Sequence, residues 1–178
     1  MNPLEHLIVE LEDYWEDTII LKRNDFLVTK NTCNTNLYLV KEGSLRVFIE
    51  DEIEEHTIRF GYKDSLITAL DSFLTNKPTS FYIQAIKKCE LRVITKNSFN
   101  KIINSKDEYK IIWKNILEEF VYQQIEREID LITYSPQKRF ERVFKRSPQL
   151  FQHIPLKYIA SYLRMTPETL SRILKNLD

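Results

Sequence analysis

The sequence predicts an α+β chain: an N-terminal antiparallel β jelly roll, a long helix and a C-terminal helix-turn-helix. Three observations carry this. From Thr18 to Thr95 short β-branched and aromatic runs recur, separated by turn residues. From Asp107 to Thr133 the chain holds neither glycine nor proline and stays rich in apolar residues. Near the end, two short runs with apolar residues at three- and four-residue steps flank Arg164-Met165-Thr166. The expected division is 1–106 for the barrel, 107–134 for the long helix and 135–178 for the helical module.

In chain order, Asn2-Pro3 followed by Leu4, Leu7, Ile8 and Leu11 predicts a short amphipathic helix. Strands are expected over 18–22, 26–30, 36–41, 44–49, 56–60, 66–70, 81–86 and 91–95, with turns at 31–34 and 51–55. Residues 37–48 predict a hairpin turning at Glu42-Gly43, where glycine supplies a positive φ. A short helix is expected to start near Asp71. The hydroxyls of Thr75, Thr79 and Ser80 after it either satisfy local backbone groups, as in a turn that plugs the barrel, or hold a small anion; the first reading is preferred. Asn97 or Ser98 is expected to cap another helix running through Ile103.

The long helix shows two apolar stripes. One runs through Tyr109, Ile112, Trp113, Ile116 and Phe120, the other through Leu117, Val121, Ile125, Ile129 and Ile132. That is wider than one domain face requires, so one stripe is expected to pack on the barrel and the other on a second copy of the chain. The dimer residues expected are Ile112, Ile116, Phe120, Val121 and Ile125. Ser135 before Pro136 marks a helix start and an expected hinge. The helix over 136–145 should bury Phe140, Val143 and Phe144 and expose Lys138, Arg139, Arg142 and Lys145, and 146–153 reads as a loop.

The last two helices carry the chemistry. Leu156, Ile159, Ala160 and Leu163 form the inner face of the first. Thr166-Pro167 starts the second with a hydroxyl N-cap and a proline whose missing N–H is no loss in the first turn. Leu170, Ile173, Leu174 and Leu177 form its inner face, and Glu168, Ser171, Arg172 and Lys175 its outer one. Such a face suits the major groove: Arg172 can fork onto guanine, Glu168 can accept from cytosine, and Thr169, Ser171 and Lys175 can hold phosphates. An ordinary helical hairpin with a solvated face is the plainer alternative.

Composition narrows the field. The 178 residues are 43% hydrophobic, enough for a packed core, and formally carry no net charge. That zero hides a division: 135–178 hold nine Lys/Arg against three Asp/Glu, net +6, which leaves −6 on the rest. A basic module on an acidic body fits an affinity drawn from phosphates. Two glycines exclude phosphate-cradling glycine-rich loops. Cys33 and Cys89, far apart, give neither a disulfide scaffold nor a zinc or iron–sulfur site. His6, His56 and His153 are scattered and expected at the surface, and no catalytic constellation emerges, so the chain reads as a non-enzyme without metal or cofactor. It lacks a transmembrane run and a secretory signal, and a cytoplasmic location is expected.

Thr166-Pro167-Glu168-Thr169-Leu170-Ser171-Arg172 resembles the recognition helix of the Crp/Fnr transcription regulators, and residues 37–48 resemble the first hairpin of their effector domain. The resemblance spans nearly the whole chain. It implies a cyclic-nucleotide-binding-like jelly roll, dimerisation along the long helix, base reading by Glu168 and Arg172, and a phosphate contact by Thr169. The DNA-binding set it implies is Pro167, Glu168, Thr169, Ser171, Arg172 and Lys175, although proline replaces a residue that often reads a base. Arg164 stands where the family usually has glycine, so a left-handed conformation there would be strained. The family's β-hairpin wing is expected to be lacking, since nothing follows Asp178 in this sequence.

Aligning through Phe73 and Cys89 puts Thr68-Ala69 at the family's Gly-Glu pair and Thr79-Ser80 at its Arg-Ser pair. Both charged nucleotide anchors are gone, and nearby Lys77 lacks the planar fork of arginine. Ala69, Lys77, Thr79 and Ser80 therefore line a degenerate effector site, and no response to cyclic AMP is expected. The partners implied are double-stranded DNA, a second copy of the chain and RNA polymerase, with any small-molecule effector unidentified and no membrane. The expected function is that of a dimeric regulator on a pseudo-palindromic operator. The rivals are a ligand-binding or protein-interaction module whose helix-turn-helix no longer reads DNA, and a jelly-roll metalloenzyme.

Overall fold

The computed structural model of the chain describes residues 2–176. Helix α1 (Pro3–Glu10) is closed by a capping box: the Asn2 side chain accepts from the Glu5 amide, and the Glu5 carboxylate accepts from the Asn2 amide. Strands β1 (Asp17–Leu21), β2 (Phe26–Val28), β3 (Leu37–Glu42), β4 (Ser44–Glu50), β5 (Glu55–Tyr62), β6 (Leu66–Ile67), β7 (Tyr82–Ala85) and β8 (Cys89–Ile94) follow, with α2 (Leu70–Thr75) between β6 and β7. They form two four-stranded antiparallel sheets, ordered β1-β8-β3-β6 and β2-β7-β4-β5. Tyr38, Val40, Leu45, Val47, Ile83 and Leu91 fill the space between them.

The hairpin expected over 37–48 does not form. β3 pairs with β6 and β8, whereas β4 pairs with β5 and β7, so the chain changes sheets at Gly43. Gly43 does take a positive φ of 87°, and a Cβ there would lie 2.2 Å from the Lys88 carbonyl oxygen. The missing side chain therefore serves close passage beneath β8 as well as the turn. The true hairpin is β4–β5, turned over Asp51, whose carboxylate accepts from the amides of Ile53 and Glu54. The strand expected over 66–70 is also shorter. Only Leu66 and Ile67 pair, and Leu70 already opens α2.

Helix α3 (Lys96–Ser105) is capped by Thr95, not by Asn97 or Ser98. Glu16 holds both the amide and the hydroxyl of Thr95, so the helix begins as soon as β8 ends. Helix α4 (Asp107–Ile132) then runs for 26 residues. Its Tyr109, Ile112 and Ile116 pack against Leu7, Leu11, Phe73, Phe99 and Ile103 in a second core. No described helix is long and apolar enough to cross a membrane.

The helical module comprises α5 (Pro136–Arg146), α6 (Leu150–His153), α7 (Leu156–Tyr162) and α8 (Pro167–Lys175) around Phe140, Val143, Ile159, Leu163, Leu170 and Ile173. Ser135 caps α5 as expected. The stretch 146–153 is not all loop, because Leu150 turns inward and winds α6. Phe144 and Leu156 are 45% and 44% exposed, against expectation: Phe144 lies at the module's edge, stacked on Phe140 and edge-on to Phe151. Leu177 lies outside the described residues.

Candidate nucleic-acid interface

The turn between α7 and α8 is built as the sequence indicates. Arg164 adopts a left-handed φ of 53°, a conformation that costs a side-chain-bearing residue about 1 kcal/mol. The Thr166 hydroxyl oxygen accepts from the Thr169 amide, and Pro167 occupies the first helical position. Glu168, Ser171, Arg172 and Lys175 are exposed along one side of α8, Pro167 lies at its start, and Thr169 is half-buried. Among the described residues none of the three charged groups on this face makes an ion pair. The amide of Glu168 and the Thr166 hydroxyl hold the Glu168 carboxyl below the usual glutamate range, so it is an acceptor at neutral pH.

Arg139, expected on the surface, is buried. Its guanidinium donates to the carbonyls of Leu163 (2.8 Å), Arg164 (3.0 Å), Thr133 (2.7 Å) and Tyr134 (3.1 Å). These carbonyls end α7 and α4, where helices leave acceptors unpaired. A planar five-donor group answers them together. Arg142 and Arg146 are likewise engaged, each bridging Glu126 and the buried Asp130 of α4. The basic excess counted over 135–178 therefore overstates the charge free to meet phosphates; Lys138, Lys145, Lys157, Arg172 and Lys175 remain on the exposed surface without ion pairs to described residues.

The module rests on the β4–β5 hairpin. The Ser161 hydroxyl accepts from the Thr57 amide and donates to the Glu55 carbonyl. Tyr162 packs on Phe60, His153 stacks on Tyr62, and Tyr158 covers the buried Arg46. His56 corrects the surface reading: its side chain is only 14% exposed, between Asp51 and Arg164. Arg164 can only donate, so His56 Nδ1 must accept and Nε2 carries the proton toward Asp51.

Among the effector-site residues, Ala69 is fully buried before α2, and Lys77 is exposed. The Thr79 hydroxyl donates to Asp71 Oδ1 at 2.6 Å, and the Ser80 amide donates to Asp71 Oδ2 at 2.8 Å. The Thr75 hydroxyl donates to the Asp71 carbonyl. The Thr79 hydroxyl and the Ser80 amide are thus held by the Asp71 carboxylate and the Thr75 hydroxyl by a backbone carbonyl, so these groups satisfy local partners.

Of the dimer residues, Ile112 and Ile116 are buried within this chain (6% and 3% exposed), and Phe120 is half-buried under the Arg59 guanidinium. They serve the monomer core because α1 and α3 cover that face of α4. Val121, Ile125, Ile129 and Ile132 form the uncovered stripe, 62%, 49%, 36% and 81% exposed. Among the described residues no cluster of His, Cys, Asp and Glu is arranged to hold a metal.

The cyclic nucleotide-binding domain family model matches residues 18–106, half of the chain. The chain belongs to that family. Its cyclic nucleotide-binding domain is the two-sheet barrel with α2 and α3, and the rest of the molecule extends from it. No curated protein matches the chain. Among solved structures it is similar to a CooA double mutant from Carboxydothermus hydrogenoformans, at 19% identity and a TM-score of 0.76, over 99% of this chain and 84% of that one. It is also similar to the catabolite activator protein of Thermus thermophilus (20%, 0.61, over 99% and 86%). A third is FixK2 of Bradyrhizobium japonicum (16%, 0.72, over 90% and 83%). At these identities the likeness establishes the fold, and the Crp/Fnr resemblance read from the sequence is met at that level through barrel, long helix and helical module.

Proposed function

We propose that the protein is a Crp/Fnr-type transcription regulator that reads a pseudo-palindromic operator as a homodimer. The observation that carries the reading is the outer face of α8. Glu168, Ser171, Arg172 and Lys175 are presented together to solvent, without ion pairs to described residues, on a helix whose cap and inner face are fully used. Arg172 reads guanine, Glu168 accepts from cytosine, and Thr169, Ser171 and Lys175 hold the backbone. Two copies pair along Val121, Ile125, Ile129 and Ile132, spacing their reading helices about 34 Å apart for consecutive major grooves. Ser135-Pro136 is the hinge, RNA polymerase is the downstream partner, and the protein performs no chemistry of its own.

Cyclic AMP is not the signal in this reading. A phosphate at Thr79-Ser80 would face the Asp71 carboxylate with no arginine to offset it, and Ala69 offers nothing to a ribose hydroxyl. Calorimetry at micromolar cyclic AMP is expected to show no binding.

The test is selection of bound sequences from random DNA, with and without cell metabolites, followed by anisotropy on the selected site. Arg172→Ala should cost about 1–3 kcal/mol and relax one base position. A wild-type protein that ignores every duplex at low ionic strength overturns the proposal. The rival, a binding module whose helix-turn-helix no longer reads DNA, draws support from Pro167, which places a donor-free side chain at the tip of α8.

A further inference from the structure

A cavity of about 390 Å³ lies where the barrel, the long helix and the helical module meet, bounded by β5, α4, α5 and α7. No residue of the Ala69–Ser80 turn lines it, although it adjoins a smaller cavity of about 120 Å³ that Leu70, Phe73 and Leu74 do line, and Arg59 and Phe120 border both. Three guanidinium groups, Arg59, Arg127 and Arg146, reach it, against one carboxylate, Glu119. Arg146 is committed to Glu126 and Asp130, and Glu119 accepts from Gln123. Among the described residues the other two arginines make neither an ion pair nor a hydrogen bond.

Arg127 is only 8% exposed, and among the described residues its side chain meets no hydrogen-bond acceptor. Its guanidinium lies 3.8 Å from the centre of the Tyr162 ring, contact with a π face and nothing more. Arg59 is in the same position, half-buried, 5.2 Å over Phe120 and without an acceptor. Burial pushes both guanidinium pKa values down, the mark of charge removed from water without a matching partner. Asp130, the nearest acid acting on Arg127, spends both oxygens on Arg142 and Arg146. Neither guanidinium has a nitrogen among the fully buried atoms left without a partner, so their donors open onto the cavity, and their planar forks match carboxylate and phosphate.

We propose that this cavity is a binding site for a small oxyanion-bearing molecule, a phosphate or dicarboxylate, gripped between Arg59 of β5 and Arg127 of α4. Tyr62 and Tyr162 supply flanking walls, so occupancy bridges the barrel to α7.

The test is calorimetric titration of the full chain, at low ionic strength and without DNA, with inorganic phosphate, pyrophosphate and succinate as probes and sodium chloride as the ionic control. Its outcome does not depend on whether α8 reads an operator. At least one probe should bind saturably, one per chain, while chloride does not. Arg59→Gln and Arg127→Gln should each weaken that binding tenfold or more, and Lys101→Gln, on the surface of α3, should leave it unchanged. A response to phosphate and pyrophosphate but not succinate assigns a phosphorylated ligand, and the converse a dicarboxylate. If Arg127→Gln fails to fold, Arg59→Gln alone decides. Absence of saturable binding by all three probes, or binding that survives Arg59→Gln, overturns the proposal.

Discussion

Arg164 donates to Nδ1 of His56 across 2.6 Å, tying the turn of the helix-turn-helix to the tip of the β4–β5 hairpin. The same Arg164 holds the left-handed φ that its family resemblance would give to glycine. Contact and strain therefore oppose each other at one residue. Arg164→Ala removes the contact and keeps the strain; Arg164→Gly removes both. The glycine variant should be more stable than the alanine variant by about 1 kcal/mol in urea melts. Equal stability would show that the backbone there is unstrained.

Asp51 closes the hairpin tip. The amides of Glu54 and Ile53, then His56, hold its carboxyl well below the ordinary 3.8. A carboxyl whose folded pKa is depressed lends stability that is present above its unfolded pKa. That stability drains as pH falls below about 4 toward the folded value. In Asp51→Asn the slope of stability against pH below about 4 should be shallower than in the wild type. Identical acid limbs in the two melts would refute this assignment.

Arg139 answers four helix-end carbonyls from one buried guanidinium. Arg139→Ala should cost about 3 kcal/mol, since it leaves several buried acceptors unmet. Arg139→Lys should recover only a minority of that loss, because an ammonium cannot span both helix ends. Urea denaturation of the three proteins measures it.

Asp130 has no exposed side-chain surface, yet its arginine partners keep 34% and 24% of theirs. Asp130→Asn removes the shared anion and leaves Glu126 alone. Allowing for screening at the exposed arginines, the loss should be about 1–3 kcal/mol. Amide exchange in the second half of α5, which carries both arginines, should quicken along with it. Unchanged protection there would mean that the apolar core, not the ion pairs, fixes α5 to α4.

The two faces of α4 are separable. Ile125→Glu should leave the monomer folded and abolish the proposed homodimer in sedimentation analysis. Ile112→Ala should keep the dimer and cost about 2–5 kcal/mol of stability, as buried isoleucines do. The reverse pattern would restore the assignment of Ile112 to the dimer seam.

Much of this architecture is legible in the residues. Alternation predicts the strands, and Ser135-Pro136 and Thr166-Pro167 mark two helix starts. What escaped depends on geometry that residue type does not encode. Periodicity shows that α4 has two apolar stripes but not which one α1 and α3 cover, so Ile112 and Ile116, which read from the sequence as dimer residues, lie buried in the monomer core. Glycine at 43 announces a positive φ, but a hairpin and a change of sheet use the same backbone angle. Arg139 and His56 look like surface residues because some of their partners lie far along the chain: the carbonyls of Leu163 and Arg164 for Arg139, and the Arg164 side chain for His56. Arg127 carries no sequence signal at all, since neighbours in α4 are charged to the same degree and only burial distinguishes it.

Asp71 also bears on how this barrel could be turned into a nucleotide sensor. Thr79→Arg on its own would place the new cation beside a waiting carboxylate, where it would be captured as an internal pair and withheld from any phosphate. Charges at both 69 and 79 and the removal of Asp71 are needed together, three coordinated changes, and Thr79→Arg alone is a dead end.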